Sequence, residues 1–134
     1  MYLENNNKTA LTYGKYCPYI EIRWEDGYIF ISNAVVSLIG NPAFIRLRWN
    51  AIKHTLVVEP TNSSDPDELS VTDWQNGQDG LLLYSDILVD EIWLEDWNKE
   101  FNFRIVARYN VPSNIAIFDM KSAVLSETIK EVLC

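Results

Sequence analysis

Histidine and cysteine are scarce in this chain of 134 residues, and most familiar catalytic chemistry is scarce with them. Zinc asks for several His or Cys ligands at short spacing, whereas here His54 stands alone and Cys17 and Cys134 sit near opposite ends. Cys17 is the one thiol away from the terminus, and His54 is the one imidazole to serve it as a base. No orienting third group or known nucleophile motif surrounds Cys17-Pro18, so no nucleophile is assigned. Two cysteines are too few for a secreted disulfide scaffold and fit a reducing compartment; a Cys17–Cys134 bridge is open on paper, but nothing in the sequence argues for it. A phosphate-cradling loop is missing as well, because neither Gly77 nor Gly80 is followed by the Lys-Ser/Thr such a loop uses. Asp65-Pro66-Asp67-Glu68 lacks the alternating acids and central glycine of a calcium loop and reads as an acidic turn. No catalytic residue, metal or cofactor is therefore expected, and an enzyme is not the first expectation.

Long apolar runs are also wanting: none approaches the length needed to cross a bilayer, so no membrane contact is expected. The opening Met1-Tyr2-Leu3-Glu4-Asn5-Asn6-Asn7-Lys8 has no basic start followed by an apolar core, so no signal peptide is expected. The expectation is a soluble, cytoplasmic protein.

What the chain does hold is the substance of a packed domain, with 48% apolar and 22% charged residues. Its net charge of −8 is unevenly spread. Residues 1–60 carry six bases (Lys8, Lys15, Arg23, Arg46, Arg48, Lys53) and five acids (Glu4, Glu21, Glu25, Asp26, Glu59), or +1. Residues 61–134 carry five bases and fourteen acids, or −9, and eleven of those acids lie between Asp65 and Glu100 against Lys99 alone. Such a field repels phosphate backbones and attracts basic partners; the plainer alternative is a solvated surface.

Periodicity predicts an α+β protein: antiparallel β-hairpins with two or three short helices in a single domain over 19–134, preceded by a polar arm over 1–18. Ile20, Ile22 and Trp24 alternate with Glu21 and Arg23 as in a half-buried strand, and Asp26-Gly27 marks a hairpin turn into Tyr28–Ile31. Ser32 and Asn33 cap a short helix closed by Gly40. Ala43–Trp49 and Thr55–Val58 form a second hairpin, which Pro60 ends, before an internal polar loop over 61–80. After it come a strand at Leu81–Tyr84 and a helix from Ser85 to about Glu95. Strands at Phe101–Ala107 and Ile115–Phe118 follow, then a final helix capped by Asp119. An internal duplication is one way to read this order.

Residues 26–60 carry a resemblance. The succession Asp26-Gly27-Tyr28-Ile29-Phe30-Ile31, a short helix ending Leu38-Ile39-Gly40, then Ile45-Arg46-Leu47 and Leu56-Val57-Val58-Glu59-Pro60 resembles the AbrB/MazE-type swapped-hairpin domains. The resemblance implies two chains interleaving their hairpins into a dimer that grips DNA with basic residues. Tyr28 and Ser32 stand where that family commonly has arginine and proline, and the acidic excess opposes DNA contact.

Five tryptophans are the chain's oddest possession. Trp93 and Trp97 share a helix face by spacing, and Trp97 is the one expected to reach the surface beside its acidic neighbours. The leading functional expectation is a non-enzymatic module that binds another, basic protein through the acidic region, with Asp90, Glu91, Glu95 and Trp97 as partner-binding residues. Toxin-immunity proteins and nucleic-acid mimics work in this way. The alternatives are a swapped-hairpin transcriptional regulator using Arg23, Arg46, Arg48 and Lys53, and a small enzyme whose site assembles only in three dimensions. Oligomeric state is left open.

Overall fold

The computed structural model describes residues 17–62, the backbone of 69–70, and 79–126. These build two antiparallel sheets that share one core. The first sheet has the order β10-β7-β1-β2-β6 and the second β5-β3-β4-β9-β8. Their strands are β1 Tyr19–Arg23, β2 Tyr28–Ser32, β3 Phe44–Asn50, β4 Thr55–Thr61, β5 Leu69–Ser70, β6 Gly80–Tyr84, β7 Phe103–Val106, β8 Arg108–Asn110, β9 Ile115–Asp119 and β10 Val124–Leu125. Two helices are described, α1 Asn33–Leu38 and α2 Asp86–Ile92, with a 3-10 turn at Met120–Ser122.

Alternation decides which face is buried. Ile20, Ile22, Ile29, Ile31, Leu81 and Ile105 line the inner side of the first sheet, facing Ile45, Leu56, Val58, Ala116 and Phe118 of the second. Each fully buried aliphatic or aromatic side chain is worth about 1.5–3 kcal/mol of transfer energy, so this shared layer is what holds the sheets together. The two hairpins of the sequence, β1–β2 and β3–β4, fall in different sheets. Strands of the same chain flank both: β7 and β6 beside the first, β5 and β9 beside the second.

The turns follow the sequence chemistry closely. Gly27 takes φ +63°, which suits a residue without Cβ, and closes a four-residue loop through its N–H bond to the Trp24 carbonyl. Gly40, at φ +93°, ends α1. Ser32 precedes α1 without capping it by its side chain; its hydroxyl instead accepts from the Tyr19 N–H. Ser85 caps α2 as expected, its Oγ accepting from the Leu88 N–H at 3.2 Å.

Several expectations are corrected. Helix α2 stops at Ile92 rather than near Glu95, because Trp93 turns extended and enters an aromatic cluster. The strand over 101–107 is two strands: the chain leaves the first sheet after Val106 and enters the second at Arg108. Pro60 lies inside β4 rather than after it, opposite Ile45. β9 pairs β4 only as far as Val58, so beyond that point a missing N–H on the β9 side leaves no bond unmade. No helix begins at Asp119; its side chain caps the 3-10 turn, and Val124–Leu125 then pair with β7. The rest of the expected terminal helix, the arm over 1–16, and most of the 61–80 loop lie outside the described residues. Cys17 is not a free thiol but disulfide-bonded, and it is buried beside Tyr19. The sequence's other cysteine, Cys134, lies outside the described residues. Among the described residues, no helix is long and apolar enough to cross a membrane.

Candidate functional site

Strand β6 forms one margin of the first sheet, and two hydrogen bonds fix which of its backbone groups face outward. The Asn33 N–H donates to the Asp79 carbonyl at 2.9 Å, and the Ser85 N–H to the Gly27 carbonyl at 2.8 Å. In an antiparallel ladder consecutive residues alternate in direction, so 79, 81, 83 and 85 turn toward β2. Leu82 and Tyr84 therefore turn their N–H and C=O groups away from β2, to a margin where no described strand lies. Their side chains are 46% and 66% exposed. Leu82 stands beside Phe30, and Tyr84 makes an edge contact with Tyr28. An edge with unpaired groups and exposed apolar side chains is a template for another strand.

The chain runs directly from this edge into α2. Val89 and Ile92 point into the core, which leaves Asp86, Ile87, Asp90 and Glu91 outside. Ile87 is 77% exposed, an unusual position for an isoleucine on a short amphipathic helix. Together with Trp24 and Gly27, these residues line a concavity of about 520 Å³. Gly27 suits this place because its φ of +63° favours a residue without Cβ, and a Cβ would also push the Asp86 carboxylate aside.

The residues singled out from sequence thus divide. Asp90 and Glu91 lie exposed on α2 and line the concavity. Glu95 is exposed beyond the helix end and does not line it. Trp97 is half-buried, its ring stacked on Phe103 at 4.3 Å and set edge-on to Trp93 at 5.0 Å. Trp93 donates its indole N–H to the Trp97 carbonyl at 3.1 Å and also packs against Trp24. Lys99 lies over the Trp24 ring at 4.0 Å. This cluster braces the link between α2 and β7. Leu82, Tyr84 and Ile87 were not picked out from sequence, because alternation within 80–84 does not tell a central strand from an edge.

Of the residues assigned to the DNA-binding alternative, Arg46, Arg48 and Lys53 belong to the second sheet and its first turn, and Arg23 to the first sheet. Arg23 bonds Asp26 at 3.0 Å and lies over the Tyr28 ring. His54 occupies the β3–β4 turn at φ +55°, its carbonyl accepting from the Met120 N–H. Its place in the fold is thus that of a turn residue, and the disulfide removes Cys17 as a thiolate. Among the described residues, no group of three or more His, Cys, Asp or Glu side chains is placed to hold a metal ion.

No protein family, curated protein or solved structure matches the chain.

Proposed function

We propose that this protein is a non-enzymatic interaction module that takes up a basic, extended segment of another protein along β6 and α2. The observation that carries it is the backbone edge at Leu82 and Tyr84, which no described strand pairs with and which leads straight into the acidic, isoleucine-bearing surface of α2. A segment laid against β6 gains main-chain hydrogen bonds, as in strand addition generally. At its Tyr84 end the same segment meets Asp86, Asp90 and Glu91, which favour lysine or arginine, and Ile87, which favours an apolar neighbour. Charge also argues against a second copy as the occupant, since two β6 edges paired together would bring two acidic helices toward each other.

The test is capture of partners from native lysate at low salt by wild type and two variants. Asp90→Lys/Glu91→Lys reverses the charge, and Leu82→Pro removes an outward N–H that the β2–β6 ladder does not use. Loss of the same basic partner in both variants is the expected result. Undiminished capture by both contradicts the proposal.

A further inference from the structure

The outward face of the second sheet carries a row across four strands: Arg48 on β3, Val57 on β4, Ile117 on β9 and Arg108 on β8. A guanidinium stands at each end, with two branched apolar side chains between them. Neighbouring strands lie about 4.8 Å apart, so the two arginines are rooted about 14 Å from each other. The row floors a concavity of about 650 Å³ that Lys53 and Ile52 of the β3–β4 turn also line. Ile52 is 91% exposed.

This face is cationic on an anionic chain. Arg46 and Arg48 share a single acceptor, Glu59 Oε2, at 2.8 and 3.3 Å, so one carboxylate answers two guanidiniums. Lys53 and Arg108 form no ion pair among the described residues. Asp119 stands one position away, opposite Thr55, and its Oδ1 accepts the Lys121 N–H. Among the described residues, four bases (Arg46, Arg48, Lys53, Arg108) thus meet two acids (Glu59, Asp119), a surplus of two positive charges where the whole chain carries −8.

We infer that this face is a second binding site, for an acidic protein segment in extended conformation with carboxylates at positions i and i+4 and an apolar side chain at i+2. In an extended chain these three side chains point the same way, and the outer two are about 13 Å apart. That span matches the separation of Arg48 and Arg108, each able to receive a carboxylate through paired N–H donors. The central apolar side chain covers Val57 and Ile117, which otherwise face water. A nucleic acid fits less well. Its affinity rests on cationic contacts accumulated along the phosphate backbone, and single strands stack their bases on aromatic rings, where this row offers aliphatic side chains. The overall negative charge further opposes a long polyanion more than a segment carrying two carboxylates.

The experiment is an amide-resolved NMR titration of the whole protein with a capped Glu-Ala-Leu-Ala-Glu peptide, with the Lys-Ala-Leu-Ala-Lys peptide and a short DNA duplex as comparisons. The expected result is salt-sensitive shifts at Arg48, Val57, Arg108 and Ile117 with the acidic peptide. Affinity should fall at least about tenfold in Arg48→Glu/Arg108→Glu, the order expected for losing close charge pairs. The Asp90→Lys/Glu91→Lys variant should bind this peptide as wild type does, which separates this site from the β6–α2 edge. Absence of shifts at millimolar peptide, equal binding by the arginine variant, or preferential binding of the duplex would each overturn the inference. All of these substitutions are at exposed positions, and an unchanged spectrum away from the row confirms that the variants fold.

Discussion

Arg104 and Glu21 stand directly opposite each other on β7 and β1, and the Arg104 Nε–H donates to Glu21 Oε1 at 3.0 Å. Glu21 is a buried acid on the outer side of the first sheet, and Arg23 approaches its other oxygen at 3.9 Å. Arg104 in turn lies over the Tyr19 ring at 4.7 Å. Opposite charges hold the middle of a sheet whose outer side also carries Tyr19, Tyr28, Phe30 and Tyr84. Glu21→Ala removes the carboxylate that Arg104 bonds and Arg23 approaches. Breaking a fully buried pair costs about 3–5 kcal/mol; the arginines here keep some contact with water, so a loss of about 2 kcal/mol is expected in denaturant unfolding. A double-mutant cycle with Arg104→Ala should return a coupling energy well above that of an exposed pair.

Alkali should unfold the same sheet. Burial pushes the Tyr19 phenol above its ordinary value of 10.0, and burial followed by the nearby Glu21 charge does the same for Tyr28. Both phenols are held neutral in the folded state, so their contribution is fully present below about pH 10 and lost as pH rises through their higher folded values. Tyrosinate absorbance should show these two rings titrating late and together with unfolding. Tyr19→Phe should flatten stability above pH 10, whereas an unchanged alkaline slope would remove Tyr19 from the account.

The aromatic cluster sets the position of α2. Trp93 touches Trp24, Trp97 and Phe103, with ring centroids 5.0–5.4 Å apart. Trp93→Ala should cost about 3 kcal/mol, the low end for losing a large aromatic side chain, because Trp93 is half-buried. Partner capture should weaken with it, measured at a temperature where the variant remains folded.

Gly27→Ala tests how tightly the β1–β2 loop supports the acidic surface. A left-handed φ costs a residue with Cβ about 1–2 kcal/mol, and here the added methyl also meets the Asp86 carboxylate. Lower thermal stability and a re-oriented Asp86 side chain are expected, the latter seen as a chemical-shift change at Asp86. Gly40→Ala carries the same backbone cost with open space around it, and should leave α2 untouched.

Much of this architecture was legible in residues whose local chemistry has one good answer. Gly27 and Gly40 mark chain reversals that require positive φ, Ser85 caps α2, and the alternation of Ile20, Ile22, Ile29 and Ile31 names the buried face of a hairpin. Tertiary pairing decided the remainder. Val124 and Leu125 suit a helix or a strand equally, and it is the free side of β7 that makes them β10. Ala107 continues an alternating pattern without a break, yet the chain changes sheet there, its N–H bonding the Pro18 carbonyl at 2.9 Å. The candidate sites divide in the same way. Charge counting reached Asp90 and Glu91, but only strand order places Leu82 and Tyr84 on the last described strand of the first sheet. Arg108 joins Arg48 only through the pairing of β4 and β8 with β9.

The central claim is that β6 and α2 form one docking edge, and the most direct measurement is partner affinity in the wild type, Leu82→Pro and Asp90→Lys/Glu91→Lys, with the captured basic protein immobilised. The account predicts that each variant binds at least about tenfold more weakly than wild type. It also predicts that raising salt abolishes the difference between wild type and the charge variant but not the difference between wild type and Leu82→Pro, because only the former is electrostatic. Wild-type affinity in both variants would contradict it.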